Sequence, residues 1–383
     1  MSVTSAKGFR AAGIAAGIKA SGNADLALVV NDGPHTAAAG VFTSNRVKAA
    51  AVVWSEQVLK GGAVKAVILN SGGANACTGP AGFQDTHKTA EETAALLDAS
   101  AVEIAVCSTG LIGVRLPMDA LLSGLKTAAD ALAADGGPAA ATAIMTTDTV
   151  AKTAQAEGTG YVVGGMAKGA GMLAPGLATM LVVITTDAVA DAAVLDTALR
   201  DATRVTFDRV DSDGCMSTND TVLLLASGAS EVVPDRAEFQ AALTSVCADL
   251  ARQLIGDAEG ATKDIAVEVV RAAGEDQAVL VAKAVTRSNL FKCAMYGNDP
   301  NWGRVLSAVG TTDAEFEPDQ LSVAINGVWV CRDGGVGEDR DLVDLTGREV
   351  KVTVDLAAGD ASATVWTNDL TPGYVHENSA YSS

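Results

Sequence analysis

A threonine stands at the head of an apolar run, behind a bend forced by glycine and proline. Lys168, Gly169, Gly171, Pro175 and Gly176 precede Ala178-Thr179, which leads into MLVVITT. A hydroxyl so placed can attack the carbonyl just before it. Once the chain is cut there, the freed α-amine, with an ordinary pKa of about 8, can serve as base for the same hydroxyl. The step needs a small preceding residue and a strained peptide, and Ala178 after Pro-Gly-Leu is compatible with both. The same residues admit a plainer reading, in which Thr179 begins a strand because β-branched residues favour strands. A second cluster, Cys107-Ser108-Thr109-Gly110, ends an apolar run in a glycine turn. Its backbone N–H groups and the Thr109 hydroxyl could form an oxyanion hole, or could simply close a strand.

Other familiar chemistries are missing. No G-x-x-x-x-G-K-[ST] occurs, and the nearest segment, GGMAKGAG, lacks the Ser or Thr after Lys168 that would hold magnesium. Gly158-Thr159-Gly160 opens a G-x-G pattern with no strand–turn–helix behind it, which disfavours a dinucleotide fold. G-x-S-x-G is absent, and His35, His87 and His376 stand far apart with no metal-binding or triad frame. Neither a metal nor a prosthetic group is expected. The six cysteines, at 77, 107, 215, 247, 293 and 331, include no C-x-x-C pair. They read as small buried hydrophobes in a reducing cytoplasm, without disulfides. His87 and His376 read as structural.

The elements that must position these clusters read as interleaved strands and helices. ADLALVV, TAAAGVFTS, AAAVVWS and KAVILN are short apolar runs bounded by turn residues and predict strands. DTHKTAEETAALLD predicts a helix over 85–98, capped by Asp85 or Thr86. VEIAVCSTG predicts a buried strand, and PMDALLSGLKTAADALAA a helix over 117–134 that ends at Gly136-Gly137. GYVVGGMAKGAG and TMLVVITTDA predict strands on either side of the bend, followed by helices near 191–205 and 235–256. DIAVEVVRAAG reads as a strand, DQAVLVAKAVTRSNLFKCAMYG as strand running into helix, and LSVAINGVWV, EVKVTVDLAAG and SATVWTNDL as strands.

This alternation implies a layered α/β or α+β fold. The chain has 383 residues, 49% of them hydrophobic, enough for a sizeable core. The net charge of −19 and an aromatic content of 4% disfavour nucleic-acid and anionic-membrane surfaces, although a basic pocket inside an acidic shell remains open. The N-terminal segment has no apolar signal region, and no run approaches about 18 apolar residues, so an unexported, cytoplasmic protein is expected.

The two clusters, taken together with their neighbours, resemble the ornithine acetyltransferase family (ArgJ-type enzymes of arginine biosynthesis). The matching segments are NSGGANACTG at 70–79, STGLIG at 108–113, MTTDT at 145–149 and KGAGMLAPGLATMLVVITTDA at 168–188. DSDGCMSTNDTV at 211–222, EGATK at 259–263, YGNDPNWGR at 296–304 and ENSAYSS at 377–383 complete the set. They run in order across nearly the whole chain. Leu173, Gly176 and Leu177 depart from the Ile, Asn and Met of many relatives but keep the small or apolar character beside the threonine, and Asn298 replaces a usually acidic or small residue.

The resemblance implies a stacked-sheet αββα-type larger domain and a smaller C-terminal α/β domain, and the polar, Gly-containing stretch near 258–275 places the division between them, read as 1–265 and 266–383. It implies self-cleavage between Ala178 and Thr179 into an α chain, 1–178, and a β chain, 179–383, commonly assembled as α2β2. It implies a ping-pong transfer of acetyl from N-acetylornithine to glutamate through Thr179 as nucleophile. Thr109 and Gly110 would stabilise the oxyanion, and Thr147, Lys168, Thr179, Glu259, Asn378 and Ser383 would contact substrate. The chemistry suits those assignments, because an amino-acid substrate offers a carboxylate for Lys168 and a cationic amine for Glu259. Acetyl-CoA is open as a further acetyl donor. Two alternatives stand beside this reading: a self-processing amidase or aminopeptidase that passes the acyl group to water, and an amino-acid-binding protein without catalysis.

Overall fold

The computed structural model describes residues 2–174 and 180–380. They fall into two units, one holding residues up to Asp208 together with Cys215–Asp257, the other Arg209–Gly214 and the chain from Ala258 on.

The first unit begins with β1 (Phe9–Ile14), β2 (Leu26–Asn31), β3 (Ala38–Phe42), α1 (Ala50–Leu59), β4 (Ala66–Ser71), α2 (Gly79–Leu96) and β5 (Ile104–Thr109). There follow α3 (Met118–Asp130), α4 (Gly137–Ala143), β6 (Lys152–Gly158), β7 (Tyr161–Lys168), β8 (Leu181–Thr186), α5 (Ala192–Val205), β9 (Thr221–Ala226) and α6 (Arg236–Gly256). They form two sheets, in the orders β1-β2-β4-β5 and β3-β9-β8-β7-β6. One core joins them: Val29, Val67 and Leu69 of the first sheet cluster with Met166, Leu181, Val183, Leu223 and Leu225 of the second. Helices α1, α2 and α3 pack on the outside of the first sheet, and α5 and α6 on the second. The result is the helix–sheet–sheet–helix layering expected of this unit. Strands β2, β4, β5, β8 and β9 are buried at every position, which is why they read as unbroken apolar runs and not as alternating ones.

The second unit runs through β10 (Asp264–Ala272), α7 (Glu275–Thr286), α8 (Asn289–Tyr296), α9 (Trp302–Val309), β11 (Ser322–Ile325), β12 (Val328–Arg332), β13 (Gly335–Val336), β14 (Glu349–Asp355), β15 (Ala361–Asn368) and α10 (Pro372–Ala380). Its six-stranded sheet has the order β13-β12-β11-β14-β10-β15, antiparallel except for the β14–β10 pair. The apolar faces of α7, α8 and α9 share a core with that sheet.

Several expectations are corrected. The division falls at Asp257/Ala258, not 265/266, because β10 lies between β14 and β15 and begins at Asp264. Arg209–Gly214 also joins the second unit, where the Asp211 N–H donates to the Trp366 carbonyl at 2.8 Å. AAAVVWS belongs to a helix, α1. Its buried Ala51, Val52, Trp54, Ser55 and Val58 follow a helical period, and the Trp54 indole donates to the Ile104 carbonyl of β5 at 2.9 Å. Residues 276–286 are helical from the start, since Ala278, Val281, Ala282 and Val285 form one buried stripe behind the acidic first turn of Glu275 and Asp276. Helix α2 starts six residues early, at Gly79-Pro80, and Asp85 pairs with Arg115 at 2.5 Å instead of capping. Helix α3 ends at Asp130, and Gly137-Pro138 opens a further helix, α4. Of the cysteines, 107, 247 and 331 are buried but 77, 215 and 293 are exposed; no disulfide joins any of them among the described residues. No described helix is long and apolar enough to cross a membrane.

Candidate active site

Thr109 is the last residue of β5, and its carbonyl accepts the N–H groups of Gly72 and Gly73, each at 2.9 Å. Parallel pairing of β4 with β5 sets Ser71 opposite Thr109, so both strands end together. Gly110 follows with φ +132°, and a Cβ there would lie 2.5 Å from the Gly73 nitrogen and 2.7 Å from the Gly72 carbonyl carbon. Only glycine fits that approach. Asn219 fastens the adjoining loops, its amide donating to the Ala74 carbonyl at 2.6 Å and the Ser108 carbonyl at 2.8 Å.

Lys168 ends β7, where it pairs with Leu181 at the start of β8. It is 1% exposed, and its Nζ donates to Thr109 Oγ1 at 3.4 Å and lies 3.9 Å from Asp148 Oδ2. Asp148 in turn accepts from Lys152 Nζ at 2.7 Å, from the Gly169 N–H at 2.6 Å and from the Thr146 N–H at 3.0 Å. Lys152, fully buried, reaches Asp257 as well, at 2.5 Å. Burial by itself would raise the Asp148 carboxyl. The Lys168 and Lys152 ammonium groups and the Thr146 amide outweigh it and hold the carboxyl down at about 2. Thr147 stands half-buried between Thr146 and Asp148, and Lys19 Nζ pins the same turn through the Met145 carbonyl at 2.6 Å. Burial pushes the Lys19 ammonium down in pKa, against the pull of Asp25. The arrangement can present a hydroxyl, a glycine N–H turn and a fixed cation at one end of two strands, a setting suited to a developing oxyanion.

In the second unit, Asn378 Nδ2 of α10 donates to Glu259 Oε2 at 2.9 Å and to the Tyr374 carbonyl at 3.0 Å. Asp369 draws the segment after Glu259 to the end of β15 by accepting the N–H groups of Thr262 at 2.8 Å and Lys263 at 2.9 Å. Gly260, at φ +64°, lets the first turn of α10 pass close by, since a Cβ there would lie 2.2 Å from the Tyr374 nitrogen. Glu259 lines a cavity of about 170 Å³ with Asp213, Arg287, Lys292, Asp369 and Tyr374. Burial lowers the Lys292 ammonium in pKa, opposed by Asp213, Asp211 and Asp369. A pocket lined by both carboxylates and cations can orient a zwitterion.

Thr109, Gly110, Lys168 and Thr147 are thus collected in the first unit, and Glu259 and Asn378 in the second. Ala178, Thr179 and Ser383 lie outside the described residues.

The ArgJ family matches residues 10–383 of this chain. The chain belongs to the ArgJ family. It is an arginine-biosynthesis acyltransferase. Curated relatives named "Arginine biosynthesis bifunctional protein ArgJ" from Streptomyces avermitilis and Streptomyces coelicolor are 72% and 71% identical to it, each over all of both chains. Among solved structures, an ornithine acetyltransferase of Mycobacterium tuberculosis in complex with ornithine is 57% identical; the match covers 47% of this chain and 96% of that one, with a TM-score of 0.43.

Within this ArgJ-family chain, sequence reasoning passed over Asp148, Lys152, Asn219 and Asp257. Asp148 stands inside MTTDT and Asn219 inside DSDGCMSTNDTV, so the signal available was membership of motifs that the resemblance had already picked out. Lys152 and Asp257 carried none, because their partnership spans 105 residues.

Proposed function

We propose that the chain is a self-processing acetyltransferase that moves the acetyl group of N2-acetyl-L-ornithine to L-glutamate, yielding L-ornithine and N-acetyl-L-glutamate. The observation that carries this reading is the buried Lys168 ammonium bonded to the Thr109 hydroxyl, at the end of β7 that faces the start of β8. Thr179 Oγ, its proton taken by its own α-amine, attacks the acetyl carbon. The Thr109 hydroxyl and the Gly110 N–H receive the negative charge that develops on oxygen. Ornithine leaves with the proton, and glutamate takes the acetyl group from the ester by the reverse sequence. Thr147, Lys168, Glu259, Asn378 and Ser383 hold substrate, with Lys168 suited to a carboxylate and Glu259 to an ammonium. No metal or prosthetic group is needed.

The α-amine arises by cleavage between Ala178 and Thr179, and the two pieces remain together in the cytoplasm as an α2β2 assembly. The word "bifunctional" in the curated relatives' names favours acetyl-CoA as a second donor to the same glutamate.

The test follows ornithine release from N-acetylornithine with and without glutamate. A transferase needs glutamate for turnover and forms N-acetylglutamate in equal amount. Release at the same rate without glutamate, with free acetate as product, would replace this reading by hydrolysis. Saturable binding without any release would replace it by an amino-acid-binding protein.

A further inference from the structure

Asp148 lies among the buried charges of the first unit and divides its two oxygens between them. Oδ1 accepts Lys152 Nζ at 2.7 Å and the Gly169 N–H at 2.6 Å. Oδ2 accepts the Thr146 N–H at 3.0 Å and lies 3.9 Å from Lys168 Nζ. The Gly169 N–H belongs to the peptide that leaves Lys168, and the Thr146 N–H to the peptide that leads into Thr146 and Thr147.

That second peptide is held from its other side as well. Its carbonyl, on Met145, accepts Lys19 Nζ at 2.6 Å, and Lys19 Nζ also donates to the Ala24 carbonyl at 2.9 Å. The backbone N–H of Lys19 donates to Asp25 Oδ2 at 2.9 Å. Its stem passes Gly72, where a Cβ would lie 3.1 Å from Lys19 Cγ. Lys152 is anchored by Asp257 at 2.5 Å, and Asp257 also accepts the Thr149 N–H at 3.0 Å. One carboxylate thus joins the Lys168 ammonium, the backbone on which that lysine stands and the turn that carries Thr147.

Taking these charges out of water is costly, and an apolar cluster of the same volume can hold a fold as well. A framework by itself leaves that cost unexplained. What the charged cluster adds is a cation of fixed position, because a lysine ammonium sits on a flexible four-carbon stem.

We propose that Asp148 is a positioning residue for carboxylate recognition, fixing the Lys168 ammonium and the Thr147 turn in the arrangement that receives the carboxylate of the amino-acid substrate. This rests on the proposed function, which gives Lys168 to that carboxylate. Asp148 acts only through the residues it holds. A displacement of about 1 Å in such a group is enough to cost a large part of what it contributes.

The experiment titrates two ligands into the full chain by calorimetry: ornithine, and 1,4-diaminobutane, which is ornithine without its carboxylate. The proteins are wild type, Asp148→Asn and Lys168→Met. The ratio of the two affinities reads recognition of the carboxylate. Wild type is expected to favour ornithine by about 10–100-fold, the range of a charge-assisted hydrogen bond. Lys168→Met is expected to bind the two within about threefold of each other. Asp148→Asn keeps the lysine, yet its ratio is expected to fall to within about threefold of that of Lys168→Met, with 1,4-diaminobutane affinity changed less than about twofold. A merely structural role would weaken both ligands together and leave the ratio where it was.

A wild-type ratio in Asp148→Asn overturns the proposal. So does tighter binding of ornithine by that variant, because Asp148 would then compete for the ammonium instead of guiding it. If Asp148→Asn does not fold, Asp148→Glu takes its place, keeping the charge and moving the oxygens by one methylene. A ratio lowered about threefold or more then supports the proposal, and an unchanged one overturns it. A wild type that binds neither ligand or both alike, or whose preference survives Lys168→Met, removes the underlying assignment of Lys168 to the carboxylate. A preference lost in Lys168→Met but kept in Asp148→Asn removes this inference alone.

Discussion

The candidate residues of the two units place charge in opposite ways. In the first, Lys152 and Lys168 are buried at 0% and 1% exposure and fixed by Asp148, which backbone N–H groups also hold. In the second, Glu259 is half-buried and its partner Asn378 lies exposed on a helix close to the end of the chain. Buried charges are oriented before any substrate arrives and need no reorganisation during reaction. Exposed ones are oriented only as well as their helix is docked, and water weakens what they contribute. On the function proposed above, the buried set is suited to stabilising a transition state and the half-exposed pair to selecting and holding a ligand.

Four substitutions or titrations would break or sharpen that contrast. Lys152→Met leaves Asp148 and Asp257 buried without their shared cation, and a loss of about 3–5 kcal/mol in denaturant unfolding is expected. A loss under about 1 kcal/mol would mean the cluster is not a framework. Gly110→Ala drives a Cβ into the Gly72–Gly73 backbone, and kcat for acetyl transfer is expected to fall about 10²–10³-fold with KM little changed. An unchanged kcat would free this turn from the chemistry.

Acid unfolding comes next. The Asp148 carboxyl is lowered in the folded chain, so its stabilisation is present above its ordinary value and lost as pH falls through the folded value. About 2 kcal/mol should disappear between pH 4 and about 2, and Asp148→Asn should flatten that part of the curve. The smallest effect is expected at Glu259→Gln: KM for the amino-acid substrate rises about tenfold with the melting temperature unchanged. A large fall in kcat there, with KM constant, would erase the distinction between the units.

The reach of sequence reasoning differs between these regions for physical reasons. The fully buried strands announce themselves as apolar runs, and the helices near 191–205 and 235–256 start where Asp191 and Asp235 accept first-turn N–H groups, because both signals are local. AVVWS of α1 and AVLVA of α7 carry the same β-branched run but fold as helices, since the burial stripe that decides the matter extends into the flanking residues. Lys168 and Thr109 were legible as candidates within their motifs. Their contact was not, because it joins the ends of strands from different sheets, 59 residues apart. The boundary at Asp257/Ala258 was missed by eight residues for a similar reason: β10 looks like a continuation of what precedes it until its partners β14 and β15, some 80–100 residues later, are known.

Intact mass of the purified wild type beside Thr179→Ala tests the central claim most directly. Two wild-type fragments, 1–178 and 179–383, are expected, with a single uncut chain for the variant, which also transfers no acetyl. A wild type that stays whole after prolonged incubation and still transfers acetyl to glutamate would contradict the N-terminal threonine mechanism.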